Sequence, residues 1–236
     1  MSDNQVFAHR GASGSHVENT MSAFKAAVKK GADGIELDVQ QTKDGELFVI
    51  HDDNMLRLTG VDQQIDQLTA TELQRMKVGN SRSRWIYGHS IPLLFDVVAF
   101  CTEHNLALNI ELKETVYGQP EVIQRILDYV DGMENVHLSS FDYETMQLVR
   151  EESEAMETAL LVKKKTVDWA DLSRYDVDAL HFHKRLWIEP YKTALIESGK
   201  TLRMYGVTGK EPFLSNTPEV TGWITDYPKR LRRKLK

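Results

Sequence analysis

At 236 residues the chain has room for one large hydrophobic core, and α/β barrels commonly fill this length without dividing. Apolar residues at 41% and charged residues at 27% exclude a disordered or low-complexity chain. A formal net charge of −6 argues against a nucleic-acid binder, because such proteins neutralise phosphates with a basic face.

The N-terminus, MSDNQVFAHR, has no basic region followed by an apolar stretch. No later segment approaches the roughly 18 apolar residues of a membrane span, so neither export nor a stable membrane anchor is expected. Short aliphatic runs then alternate with helical patterns, the signature of βα units and a parallel sheet. The first run is QVFAH, followed by a helix in NTMSAFKAAVKKG, with Asn19 or Thr20 as N-cap, Met21, Phe24, Ala27 and Val28 on one stripe, and Gly31 at its end. GIELDV and LFVIH come next, joined only by QQTKDGE. A parallel crossover needs about a dozen residues or more, so these two must form an antiparallel hairpin, with Asp44-Gly45 at its turn.

Residues 52–92 break the rhythm and read as an insertion at a barrel mouth, with DQLTATELQRMKVGN its one clear helical pattern. The lone Cys101, in LFDVVAFCTEHN, falls on the apolar side of a helix. It excludes a disulfide within the chain and fits a reducing cytoplasm. After ALNIELK, the helix PEVIQRILDYVDG has Pro120 near its start and Gly132 at its end. NVHLSSF, TALLVK, DALHFHK, TLRMYGV and GWITDY complete nine strand candidates. The basic tail KRLRRKLK carries Leu231 and Leu235 four residues apart, which predicts a terminal helix with a solvated face rather than a membrane-surface anchor. With one candidate assigned to the hairpin, eight parallel strands remain. The expected fold is a (β/α)8 TIM barrel forming one domain over 1–236, with a small insertion after the second-strand hairpin.

Strand alternation locates a candidate site. In GIELDV, Ile35, Leu37 and Val39 share one face while Glu36 and Asp38 share the other; in ALNIELK, Leu108, Ile110 and Leu112 oppose Asn109, Glu111 and Lys113. If the apolar faces meet the helices, Glu36, Asp38 and Glu111 converge inside the barrel near the C-terminal ends of adjacent strands, where barrel active sites lie. Unpaired buried charge is costly, so a cation must compensate, and oxygen-only ligands favour a hard divalent ion, Mg²⁺ or Ca²⁺. His9 and His51 end strands at the same rim and suit acid and base work near neutral pH. Arg10 and Lys113 add fixed positive charge suited to phosphate. Since His9 and Arg10 are consecutive, both reach the mouth only if the chain bends at Gly11. His181 and His183 share a face of DALHFHK and are expected to be structural, because no carboxylate stands beside them on that strand. Trp187 follows, at the rim or in the packing.

The run HRGASGSHVENTMSAFKAAVKKGADGIELDVQQTKDGELFVIHDDNMLRLTG, with its HRG, ENT, E-x-D-V, T-x-D-G and HD elements in order, resembles the N-terminal signature of the glycerophosphodiester phosphodiesterases of bacterial cytosolic type. The likeness continues through IPLLFDVV, LNIELK, LSSFD and GWITDYP. It implies the same barrel, one divalent cation held by Glu36, Asp38 and Glu111, His9 and His51 as the acid/base pair, and Arg10 and Lys113 on the phosphate. Where the family usually carries a W-T-V-N type run whose Trp lines the glycerol pocket, this chain has MYGVTG, placing Tyr205 at that position. After HD the family often reads R-T-T; here it is RLT.

The implied reaction is hydrolysis of a small-molecule glycerophosphodiester to sn-glycerol 3-phosphate and an alcohol, with the glycerol 2-hydroxyl as nucleophile through a cyclic phosphate. The alternatives are a lysophospholipase D-type enzyme that releases the cyclic phosphate, and a non-catalytic phosphoglycerol-binding barrel. A homodimer is compatible with the sequence.

Overall fold

The computed structural model describes residues 4–79, 86 and 88–235. Nine strands lie among them: β1 (Gln5–His9), β2 (Gly34–Gln41), β3 (Leu47–Val49), β4 (Ala107–Leu112), β5 (Val136–Ser140), β6 (Glu157–Val162), β7 (Ala179–His183), β8 (Thr201–Tyr205) and β9 (Val220–Thr225). Eight pair in parallel in the order β1-β2-β4-β5-β6-β7-β8-β9, and β9 returns to β1, closing a TIM barrel. β3 is the antiparallel extra. It pairs with Val39–Gln41, whereas β1 pairs with Gly34–Glu36, so β3 takes the edge of β2 that β1 has already left.

The helices of the described residues are α1 (Met21–Lys29), α2 (Leu56–Thr59), α3 (Ala70–Arg75), α4 (Leu94–Glu103), α5 (Pro120–Tyr129), α6 (Tyr143–Glu152), α7 (Tyr191–Glu197) and α8 (Pro228–Leu235). Thr20, not Asn19, caps α1, its hydroxyl accepting from the Ala23 amide. The helical pattern expected over DQLTATELQRMKVGN is shorter than its sequence suggests. It divides into a 3-10 turn at Ile65–Gln67 and the six-residue α3, which starts at a capping box between Thr69 and Glu72 and ends where Met76 turns extended. Part of segment 52–92, namely residues 80–85 and 87, lies outside the described residues.

Side-chain alternation divides the apolar residues between two cores. Ile35, Leu37, Val39, Leu108, Ile110 and Leu112 face outward and pack with Phe24, Val97, Cys101, Ile126 and Val149 from the surrounding helices. Along the hairpin, Leu47 and Val49 join this core, while Phe48 and Ile50 point the other way. They are covered by Met55, Leu58, Ile65, Leu68, Leu73, Val78 and Ile91, a second small core beside the barrel. Cys101 is fully buried, and burial pushes its thiol up to about 12. In α8, Leu231 is fully buried and Leu235 packs on the same core. Burying one leucine contributes about 2 kcal/mol, and Arg232 adds an ion pair to Asp33, so the basic tail is part of the barrel wall. No helix among the described residues is long and apolar enough to cross a membrane.

Candidate active site

Register brings the three inward carboxylates together. Asp38 on β2 lies opposite Glu111 on β4, and Glu36 lies opposite Asn109. Glu36, Asp38 and Glu111 each offer an oxygen, and these atoms all lie within 4.8 Å of one another. All three residues are buried. Burial raises the Glu36 carboxyl to about 7; His9 opposes that rise, and Asp38 adds to it. Burial likewise raises Glu111, with Asp38 reinforcing it and Lys113 resisting. Asp38 is held low because Arg10 and Lys113 outweigh its burial. Lys113 Nζ sits 2.8 Å from Glu111 and 3.7 Å from Asp38. Asp38 Oδ1 is buried without a hydrogen-bond donor. Three crowded carboxylates with one orphaned oxygen and no nitrogen or sulfur donor among them suit a hard divalent cation such as Mg²⁺ or Ca²⁺.

The bend that brings both His9 and Arg10 to the mouth begins one residue earlier than the glycine alone suggests. Arg10 has φ 53° and Gly11 φ 79°, a pair of left-handed residues that reverses the chain at the end of β1. A side chain at Gly11 would also meet the Ala23 backbone at 2.7 Å. The Arg10 amide donates to Glu36 Oε2 at 2.9 Å. Its guanidinium lies 3.0 Å from Asp38 and donates to Glu18 at 2.8 Å. Asn19, also left-handed at φ 53°, donates its amide to Asp38 Oδ2 at 2.8 Å. The ENT triplet therefore has three distinct tasks: Glu18 holds Arg10, Asn19 holds Asp38 and Thr20 starts α1.

Each rim histidine is backed by a carboxylate. His9 Nδ1 lies 2.7 Å from Asp226 Oδ1, and His51 Nδ1 lies 2.7 Å from Asp52 Oδ1. A carboxylate can only accept, so Nδ1 carries the proton in both rings and Nε2 is left for chemistry. Burial lowers the pKa of His9, but Glu36 and the Asp226 hydrogen bond outweigh it and leave the group above its ordinary value. Asp52 is in turn gripped by Arg57, whose guanidinium also forms two hydrogen bonds with Glu18. A chain of contacts thus runs from His51 through Asp52, Arg57, Glu18 and Arg10 to Asp38. Alternation along single strands could not reveal Asp226, Asp52 or Arg57, because none lies within a strand; the TDY, HDD and RLT strings were the available signals.

His9, Arg10, Glu36, His51 and Glu111 line one cavity of about 340 Å³, together with Asn109, Phe141, Leu161, His181, His183, Tyr205 and Ile224. Asp38 and Lys113 are not among the residues that line it; Asp38 is buried against Arg10, and Lys113 against Glu111. Tyr205 reaches the cavity, its hydroxyl raised to about 12 by burial and by Glu111. His183 meets Tyr205 edge-on at 5.3 Å and accepts from the Arg185 amide. His181, expected to be structural, has no hydrogen-bond partner on either ring nitrogen. Trp187 stacks on Phe182 in the outer core, 5.5 Å between ring centroids, and is packing.

A closed parallel barrel with buried carboxylates and carboxylate-backed histidines grouped at the C-terminal ends of its strands has the architecture of a TIM-barrel enzyme. The sequence profile of the glycerophosphoryl diester phosphodiesterase family matches residues 9–229. The chain belongs to that family and is a phosphodiesterase. It is 31% identical over 244 residues to a glycerophosphodiester phosphodiesterase of Bacillus altitudinis, covering 98% of this chain and 99% of the relative. It is 33% identical over 231 residues to another of that name from Caldanaerobacter subterraneus subsp. tengcongensis, covering 96% and 95%. The structure is also similar to an Oleispira antarctica phosphodiesterase solved with its product sn-glycerol-3-phosphate, at a TM-score of 0.86, 22% identity, and coverage of 98% and 96%.

Proposed function

We propose that this protein hydrolyses glycerophosphodiesters to sn-glycerol 3-phosphate and an alcohol, using His9 and His51 as the acid/base pair. The observation that carries this reading is the meeting, in one cavity, of two carboxylate-backed imidazoles with a cluster of buried carboxylates. Glu36, Asp38 and Glu111 are the residues to hold one divalent cation, Mg²⁺ or Ca²⁺, which when bound would draw negative charge from the phosphate oxygens. Arg10, at the cavity wall, supplies fixed positive charge to the phosphate, Lys113 adds its charge from beside Glu111 and Asp38, and Tyr205 packs against the glycerol unit.

One histidine takes the proton of the attacking hydroxyl, from glycerol itself or from water, through its free Nε2. A new P–O bond forms as the bond to the leaving alcohol breaks, and the other histidine, which enters the step protonated on both ring nitrogens, gives its Nε2 proton to that alcohol; where glycerol's own hydroxyl attacked, water then opens the cyclic phosphate by the reverse exchange to leave glycerol 3-phosphate. Asp226 and Asp52 keep the two rings in the tautomer this exchange needs. The whole chain over 1–236 acts as one domain in this reading.

Release of glycerol 3-phosphate from glycerophosphocholine by the purified protein tests the proposal. Activity lost in EDTA and restored by Mg²⁺ or Ca²⁺ is the expected result. Full activity in EDTA would overturn the metal assignment, and faster cleavage of the acylated counterpart would overturn the substrate.

A further inference from the structure

The cavity has two unlike walls. One is charged, carrying His9, Arg10, Glu36 and Glu111; the other is formed by Phe141, Leu161, Ile224 and Tyr205, with His181 among them. His181 has no exposed surface, and neither ring nitrogen has a partner. Buried polar groups are nearly always hydrogen-bonded, and an orphaned one is costly to keep. The ring is fixed by aromatic edges instead: His137 packs against it at 5.3 Å and 86°, and Phe7 packs against His137 at 5.4 Å and 89°. Its register partners on the neighbouring strands are Leu161 and Arg203, so no carboxylate reaches it across the sheet.

Burial, reinforced by Arg203, holds the His181 pKa well below its ordinary value. The ring is therefore neutral near pH 7 and offers one donor and one acceptor. A neutral ring is a poor anchor for phosphate. It matches an aliphatic hydroxyl, which also has one proton to give and lone pairs to accept with.

We infer that His181 is a specificity-determining residue that hydrogen-bonds the terminal hydroxyl of the substrate's glycerol unit, the hydroxyl farthest from the phosphate. This rests on the phosphodiesterase reading above. With the phosphate at the charged wall, the three-carbon unit crosses the Leu161 and Ile224 side and its free end meets His181. An acyl ester at that hydroxyl has no proton to donate and would set its chain against a ring that has no exposed surface. The subsite thus selects deacylated glycerophosphodiesters.

The test compares kcat/KM for glycerophosphocholine with that for its counterpart built on propane-1,2-diol, which lacks the terminal hydroxyl. Wild-type protein, His181→Phe and His181→Asn are each assayed on both substrates, so loss of folded protein cancels in the ratio. Wild type is expected to prefer the glycerol substrate by about 10- to 100-fold. The preference should fall to within about 3-fold in His181→Phe and be partly kept in His181→Asn, which retains a donor and an acceptor. An unchanged ratio in His181→Phe would overturn the inference.

If wild type cleaves neither substrate, the reaction proposed above fails, and binding decides the inference separately. A larger rise in melting temperature with sn-glycerol 3-phosphate than with propane-1,2-diol phosphate, lost in His181→Phe, would support it. Equal rises with the two ligands would overturn it.

Discussion

His9 and His181 face the interior of the same barrel, yet their pKa values move in opposite directions. Burial lowers both. Glu36 and Asp226 outweigh burial at His9, whereas the one charged group acting on His181, Arg203, reinforces it. The contrast extends to the barrel as a whole. The arc of β1, β2 and β4 carries charge that is balanced locally by opposite charge, and the arc of β6 to β9 places neutral rings and aliphatic side chains toward the cavity. Burial alone therefore does not set the charge of an inward histidine; the nearest carboxylate does.

The largest way to break this contrast is Glu36→Gln, which removes the main charge that raises His9. It should lower kcat by about 10³-fold, through loss of one of the three carboxylates proposed to hold the cation, and the His9 pKa should fall in an NMR titration. Stability should move the other way. Glu36 titrates near 7 in the folded chain against an ordinary value of 4.5. As pH rises from 4.5 to 7, the unfolded chain releases this proton before the folded one does, so the metal-free protein loses stability across that window. Glu36→Gln should abolish that loss, read as a melting temperature above that of the metal-free wild type at pH 7.

Asp226→Asn weakens the same contrast from outside the carboxylate cluster. Its expected effect is about 10- to 100-fold on kcat, as for other carboxylates that orient a functional imidazole. The His9 pKa should drop, because the negative charge of Asp226 is lost and the amide oxygen left in its place accepts a weaker hydrogen bond. An unchanged His9 titration would show that Glu36 alone sets the charged arc.

Gly222→Ala probes the opposite arc, where packing rather than charge is the constraint. A Cβ there would stand 2.7 Å from Cγ of Arg203, whose guanidinium is bonded to Glu157 at 2.6 Å. The shift should cost about 1–3 kcal/mol, seen as a lower urea midpoint, with the His9 titration untouched. The smallest change, Thr20→Ala, leaves both arcs intact and removes the cap of α1 together with the hydrogen bond that the Thr20 hydroxyl donates to the Val17 carbonyl. It should cost about 1 kcal/mol in the same urea assay.

The period-two split of GIELDV and ALNIELK was enough to place Glu36, Asp38 and Glu111 inside a barrel and their apolar neighbours outside. A seven-residue connection was enough to make the third strand antiparallel. These features depend on spacing along one segment, which the sequence carries directly. The length of α3 was not legible, because capping and the second core end that helix where its pattern could have continued.

Tertiary structure alone decided the partners. Asp226 meets His9 across 217 positions, Arg57 meets Glu18 across 39, and both contacts exist only because the closing barrel and the left-handed turn at Arg10 and Gly11 bring distant loops to one rim. The same holds for His181, whose strand face the sequence supplies. Its missing partners and its place in the cavity depend on what β6, β8 and the barrel interior put beside it, because a side chain's electrostatic environment is set by neighbours in space.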